Sequence, residues 1–139
     1  IIIKSKERDL NISQEQKKFD KDLFLESLAW HCCLLGSSLI SKKLFKNKRY
    51  YNLKSFKNFP HIGLIFSFAG ENKLNFKNYS KKILSSFNKE SYWVRSIFDV
   101  FLNDWSNSIM QLKNYNFYSK RKAIIKNLDP LVSKETIIK

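Results

Sequence analysis

Residues 91–112 read SYWVRSIFDVFLNDWSNSIMQL. Val94, Ile97, Phe98, Phe101, Leu102, Trp105, Ile109 and Leu112 recur at steps of three and four, while Arg95, Asn103, Ser106 and Asn107 fall on the other side. Side chains three and four apart share one face of an α-helix. The stripe therefore predicts an amphipathic helix over 91–112 with its apolar face on a core.

A second long helix is expected over 14–46. Ser13 and Gln16 have the spacing of a capping box, and Phe19, Leu23, Leu28, Cys32, Leu35 and Leu39 follow at helical steps. Gly36 marks a possible bend, and the apolar Trp30–Leu35 segment places this helix centrally. Shorter helices are expected at Tyr79–Phe87 and Lys120–Leu128. Asp129-Pro130 would end the last of these, because proline disfavours the helical region for its predecessor. Residues 61–69 read differently: Ile62, Leu64, Phe66 and Phe68 alternate with Gly63, Ile65, Ser67 and Ala69 between Pro60 and Gly70. That alternation predicts a minor strand, paired with Ile1–Lys4, Thr136–Ile138 or another chain. The expected fold is mainly α, a single small domain built on the helices at about 14–46 and 91–112 with at most a minor strand near 61–69. Residues 1–12 form an extended N-terminal segment, 13–128 a mainly helical basic domain, and 129–139 a C-terminal tail.

Composition narrows the function classes. The 139 residues suffice for one domain with a real core, and a 43% apolar content argues against wholesale disorder. Three Gly and two Pro exclude collagen-like and linker chains, and two adjacent Cys exclude a disulfide framework. The longest apolar run, Leu28 to Ile40, is interrupted by His31, Gly36, Ser37 and Ser38. It falls short of the roughly 20 residues a spanning helix needs, so the chain is expected not to be membrane-spanning.

Lys, Asn, Ile, Phe, Tyr and Met together make up 68 of the 139 residues, against 12 for Gly, Ala, Arg and Pro. The first group has A/T-rich codons and the second G/C-rich ones, which points to an A/T-rich gene of the kind found in organelles. Codon drift inflates the net charge of +14 but does not explain its distribution. Residues 1–26 hold six basic and six acidic side chains, and no acid occurs from Ser27 to Gly70. A field of one sign attracts polyanions.

Two segments are the candidate binding sites. Lys42, Lys43, Lys46, Lys48, Arg49, Tyr50, Tyr51, Lys54 and Lys57, with Phe56 among them, combine cations with rings. Cations neutralise phosphates and release counterions, and exposed rings stack on unpaired bases. The second segment is Lys120, Arg121, Lys122 and Lys126, preceded by Tyr115, Phe117 and Tyr118. Cations in a first helical turn oppose the helix dipole, and a bound anion would relieve them.

Enzymatic and metal readings find little support. His31-Cys32-Cys33 reads as core rather than as a metal or thiol site. Asp22 and Glu26 at i, i+4 form at best a weak chelating pair, and no Gly-rich phosphate cradle is present. The tryptophans read as core. No cofactor, metal or small-molecule substrate is expected. The expectation is a non-enzymatic structural protein that binds RNA, most plausibly ribosomal RNA, as a small component of a mitochondrial ribosome among neighbouring proteins. The alternatives are a peripheral subunit of an organellar membrane complex and an uncharacterised nucleic-acid enzyme.

Overall fold

The structure, a computed structural model, describes residues 2–5, 20–33, 38, 40–46, 53–72, 78–84 and 96–132. These residues are mostly helical, in agreement with the mainly α expectation. Helix α1 spans Lys21–Cys32, α2 Lys42–Phe45, α3 Pro60–Glu71, α4 Trp105–Met110 and α5 Phe117–Val132. A 3-10 turn lies at Leu53–Phe56, and a π-helical stretch at Asp99–Asp104 runs directly into α4. No helix among the described residues is long and apolar enough to cross a membrane.

One core joins these elements. Leu25, Leu28 and Cys32 of α1, Ile62 and Phe66 of α3, and Trp105, Ile109 and Leu112 at and after α4 are almost completely buried in it. Phe59 stands at its centre. Its ring lies 5.1 Å from Trp105, edge to face, and 6.0 Å from Phe101. Such tilted and edge-on pairs set the positive edge of one ring against the negative face of another. Trp105 and the half-buried Trp30 are core residues, as their helical spacing implies. Trp93 lies outside the described residues.

The expected helix over 14–46 is not continuous. Helix α1 ends at Cys32, with Cys33 as its C-cap, and Ile40 and Ser41 precede the single turn of α2 without being helical. The Gly36-Ser37-Ser38 stretch offers poor helix formers at this point. The end of α1 also finds another partner: the His61 ring, in the first turn of α3, donates Nε2–H to the Cys33 carbonyl at 3.0 Å. A carbonyl at the helix end is thereby bonded from outside the helix. Ser13 and Gln16, the expected cap, lie outside the described residues.

The strand expected near 61–69 is helix α3. Where nearly every residue is apolar, alternation cannot separate a strand from a buried helix. Pro60 occupies the helix start, where its missing N–H costs nothing. The residues packed in the core, Ile62, Phe66 and Ala69, keep helical steps of four and three. Gly63 is required because the Phe56 ring lies against it; a Cβ there would meet ring atoms at 2.5–2.7 Å. The residues expected as a helix at Tyr79–Phe87 instead begin with a strand, Asn78–Leu84, which pairs in parallel with Ile2–Ser5. The expected C-terminal boundary at Asp129-Pro130 moves as well. Helix α5 begins at Phe117, ahead of Lys120, and continues through Pro130 to Val132. Only its final turn has to accommodate the N–H that proline lacks.

The stripe that predicted a helix over 91–112 is half right in phase. Its described part is helical from Ser96 to Met110, and Phe101, Trp105, Ile109 and Leu112 are buried as expected. The π winding closes hydrogen bonds one residue further apart than an α turn does. Upstream faces are therefore rotated. Val100 and Asp104 turn inward, while Phe98 is left 69% exposed and Leu102 38%.

Asp104 is held by Lys57 Nζ at 2.9 Å and Asn58 Nδ2 at 2.8 Å. Further along the same helix, Ser108 Oγ donates to the Phe56 carbonyl and Gln111 Nε2 to that of Ser55. Residues 55–58 are thus strapped along one helical face. Lys57 adopts a positive φ of 37° within the strap, a conformation uncommon for a side-chain-bearing residue.

The rotated phase predicts unequal costs for two phenylalanines. Phe98→Ser should change stability by no more than about 0.5 kcal/mol, as surface substitutions usually do. Phe101→Ala should cost about 3–5 kcal/mol in urea unfolding. Comparable losses at both positions would contradict the π winding.

Candidate nucleic-acid interface

Within the acid-free span, Lys42, Lys43, Lys46 and Lys54 are exposed. The first three follow the extended Ser41 into and just past the single turn of α2. Lys57 belongs to the same sequence cluster but not to the same surface, because its ammonium is committed to Asp104 although 68% of the side chain is exposed. Lys48, Arg49, Tyr50 and Tyr51 lie outside the described residues. Phe56 is buried and is not available for stacking.

The second segment is organised by carboxylates of α1. Asn116 precedes α5 and caps it: its Oδ1 accepts the Ser119 N–H at 2.7 Å, and its carbonyl accepts the Lys120 N–H at 3.3 Å. Asp22 Oδ1 accepts the Asn116 N–H at 2.9 Å. One turn further along α1, Glu26 Oε1 accepts the Ser119 hydroxyl at 2.7 Å, and Oε2 accepts Lys122 Nζ at 3.2 Å. Sequence pointed to an anion near this helix start, and two side chains of the chain itself stand there. The Asn116 and Ser119 N–H groups that could have met a phosphate are already bonded internally. Asp22 and Glu26 serve as anchors between helices and do not form a metal pair with each other. Among the described residues, no group of His, Cys, Asp and Glu is arranged to hold a metal ion.

The four cations of this segment divide by engagement. Lys120 Nζ folds back onto the Met110 carbonyl at 3.0 Å. Lys122 bonds Glu26 and lies 4.5 Å from the centroid of the Tyr118 ring, and the Glu26 hydrogen bond raises its ammonium above the usual lysine range. Arg121 and Lys126 are exposed. So are Phe117 and Tyr118, whose character neither spacing nor composition separated from core. Tyr115 is buried: its hydroxyl donates to the Phe66 carbonyl at 2.8 Å, and burial, with Asp22 and Asp20 nearby, pushes its phenol up. An open groove of about 290 Å³ runs between α1 and α5, lined by Glu26, Ser27, Lys122, Ile125 and Lys126.

The thiols and His61 have structural surroundings. Burial pushes the Cys32 thiol up to about 12, which leaves no reactive thiolate at neutral pH. Burial lowers His61, and this outweighs its hydrogen bonds to the Cys33 and Cys32 backbone. With Nε2–H committed to Cys33, Nδ1 is a buried atom with no hydrogen-bond partner among the described residues. No protein-family model, curated protein or solved structure matches the chain.

Two outcomes follow from these contacts. His61 is lowered on folding, so below the ordinary histidine range, about 6.5, the unfolded chain binds the proton that the folded chain resists. Stability should be complete above that value and fall as pH drops below it. Urea midpoints at successive pH values should show this slope, and His61→Gln should remove its histidine component. Separately, Glu26→Gln should cost no more than about 1 kcal/mol through its half-exposed ion pair. Gln keeps an oxygen for the Ser119 hydroxyl, so thermal unfolding of this variant isolates the ion pair, and a much larger loss would mean that the charge, rather than the hydrogen bonds, holds α1 to α5.

Proposed function

We propose that this chain is a non-enzymatic structural RNA-binding protein, a small component of a mitochondrial ribosome that neutralises ribosomal RNA phosphates. The observation that carries the reading is the combination of an acid-free sequence from Ser27 to Gly70 with exposed Lys42, Lys43, Lys46 and Lys54 inside it. Exposed cations with no carboxylate among their sequence neighbours retain their full affinity for a polyanion. Binding to phosphate releases condensed counterions and gives a steep dependence on salt. Arg121 and Lys126 extend the basic surface on α5, whose described side chains from Phe117 to Lys126 include no acid. The organellar assignment rests on the A/T-biased composition, and neighbouring proteins in the assembly are the natural partners for exposed Phe98, Leu102 and Met110.

Replacing Lys42, Lys43 and Lys46 together with Gln should weaken RNA binding and reduce the slope of log affinity against log salt by roughly 2, at about 0.7 for each single-strand phosphate contact. Anisotropy titrations over a salt series measure both. Crosslinking with mass analysis should join peptides from 42–57 to RNA. An unchanged slope together with no crosslink in these peptides would overturn the proposal.

A further inference from the structure

Phe117 and Tyr118 are adjacent residues in the first turn of α5 and are 67% and 64% exposed. They occur together in a helix start that is fixed from three directions. Asn116 caps the helix, Asp22 holds the Asn116 N–H, and Glu26 holds Ser119. The backbone that carries the two rings therefore has little freedom to fold them inward. Lys122, itself tied to Glu26, stands over the Tyr118 ring. One turn beyond Phe117 on the same helical face is the exposed Arg121. The surface combines two outward rings with the exposed Arg121, and the α1 carboxylates nearest to it, Asp22 and Glu26, are engaged by Asn116, Ser119 and Lys122.

We infer that Phe117 and Tyr118 form a stacking platform for unpaired bases, with Arg121 contacting the adjoining phosphates, so that this end of α5 takes single-stranded rather than duplex RNA. The inference rests on the RNA-binding reading above and specifies the form of RNA. Bases inside an A-form duplex are stacked on one another, and the deep, narrow major groove denies side chains access to their edges. Splayed bases of a loop or single strand present their faces, and any base can stack on an aromatic ring. The exposed Arg121 beside the rings, with no acid from Phe117 to Lys126, favours a polyanion over an ordinary apolar protein surface as the occupant. A platform on a helix start that is already ordered also loses little conformational freedom when a base arrives.

The test uses the full chain, a labelled oligouridylate and an RNA duplex of equal length, titrated by anisotropy over a salt series. Phe117→Leu with Tyr118→Leu removes the aromatic faces and keeps apolar bulk. Affinity for the oligouridylate should fall roughly tenfold or more as base stacking is lost, while duplex affinity and both salt slopes stay as in the parent chain. Tyr118→Phe should retain oligouridylate affinity. Duplex binding by each variant serves as the check that it is folded. Undiminished oligouridylate binding by the double-Leu variant, with salt-dependent binding intact, overturns the platform and leaves the phosphate-neutralising reading in place. Absence of salt-dependent binding to either RNA by the parent chain overturns both.

Discussion

Glu26 reaches from the middle of α1 to the Ser119 hydroxyl and the Lys122 ammonium, and Asp22, one turn earlier, takes the N–H of the residue that caps α5. This pair of carboxylates fixes how the first and last described helices meet. Asp104 performs the same service where the π-helical stretch faces residues 57–58. In a chain with 12 acids against 26 bases, these three side chains act at helix junctions. Each draws in donors from distant sequence. A carboxylate that accepts two hydrogen bonds from charged or polar donors gives both strength and direction, whereas apolar packing alone leaves rotation about a helix axis loosely defined. The cations these acids engage, Lys57 and Lys122, are tied into ion pairs, whereas the exposed Lys42, Lys43, Lys46 and Lys54 have no acidic neighbours in sequence.

That division explains what the sequence could and could not reveal. The α-helical stripe of Phe101, Trp105, Ile109 and Leu112 was legible because it depends on local period alone. The phase of Phe98 and Val100 was not, since a π turn has no local signature in the pattern of apolar residues. The Asp22–Glu26 pair was visible as an i, i+4 spacing, but its partners lie more than 90 residues away. Lys57 looked equivalent to Lys54 in sequence. Its pairing with Asp104, 47 residues on, sets it apart. The 61–69 segment satisfied both strand and helix periods, and Pro60, read as the boundary of a strand, is the first residue of the helix.

The junction between α1 and α3 shows a different economy of polar groups. The Cys33 carbonyl closes one helix, and His61 opens the other. A single hydrogen bond therefore joins a helix end to a helix start across 28 residues. Gly63 then admits the Phe56 ring, and that ring sits next to the strap formed along Asp104, Ser108 and Gln111. The core and the polar contacts are consequently interleaved rather than layered, and Phe59 lies between them.

The π-helical stretch at Asp99–Asp104 also bears on how this chain tolerates changes in length. A π turn accommodates more residues than an α turn over a comparable rise, so the helix carries slack at that point. Loss of one residue there would convert the stretch to ordinary α winding without moving Trp105, Ile109 or Leu112 off the core. The segment upstream would keep its phase, with Ile97 against the core and Phe98 still outward. The helix thus contains a place where a one-residue deletion is absorbed, with the packing on either side of it left in phase.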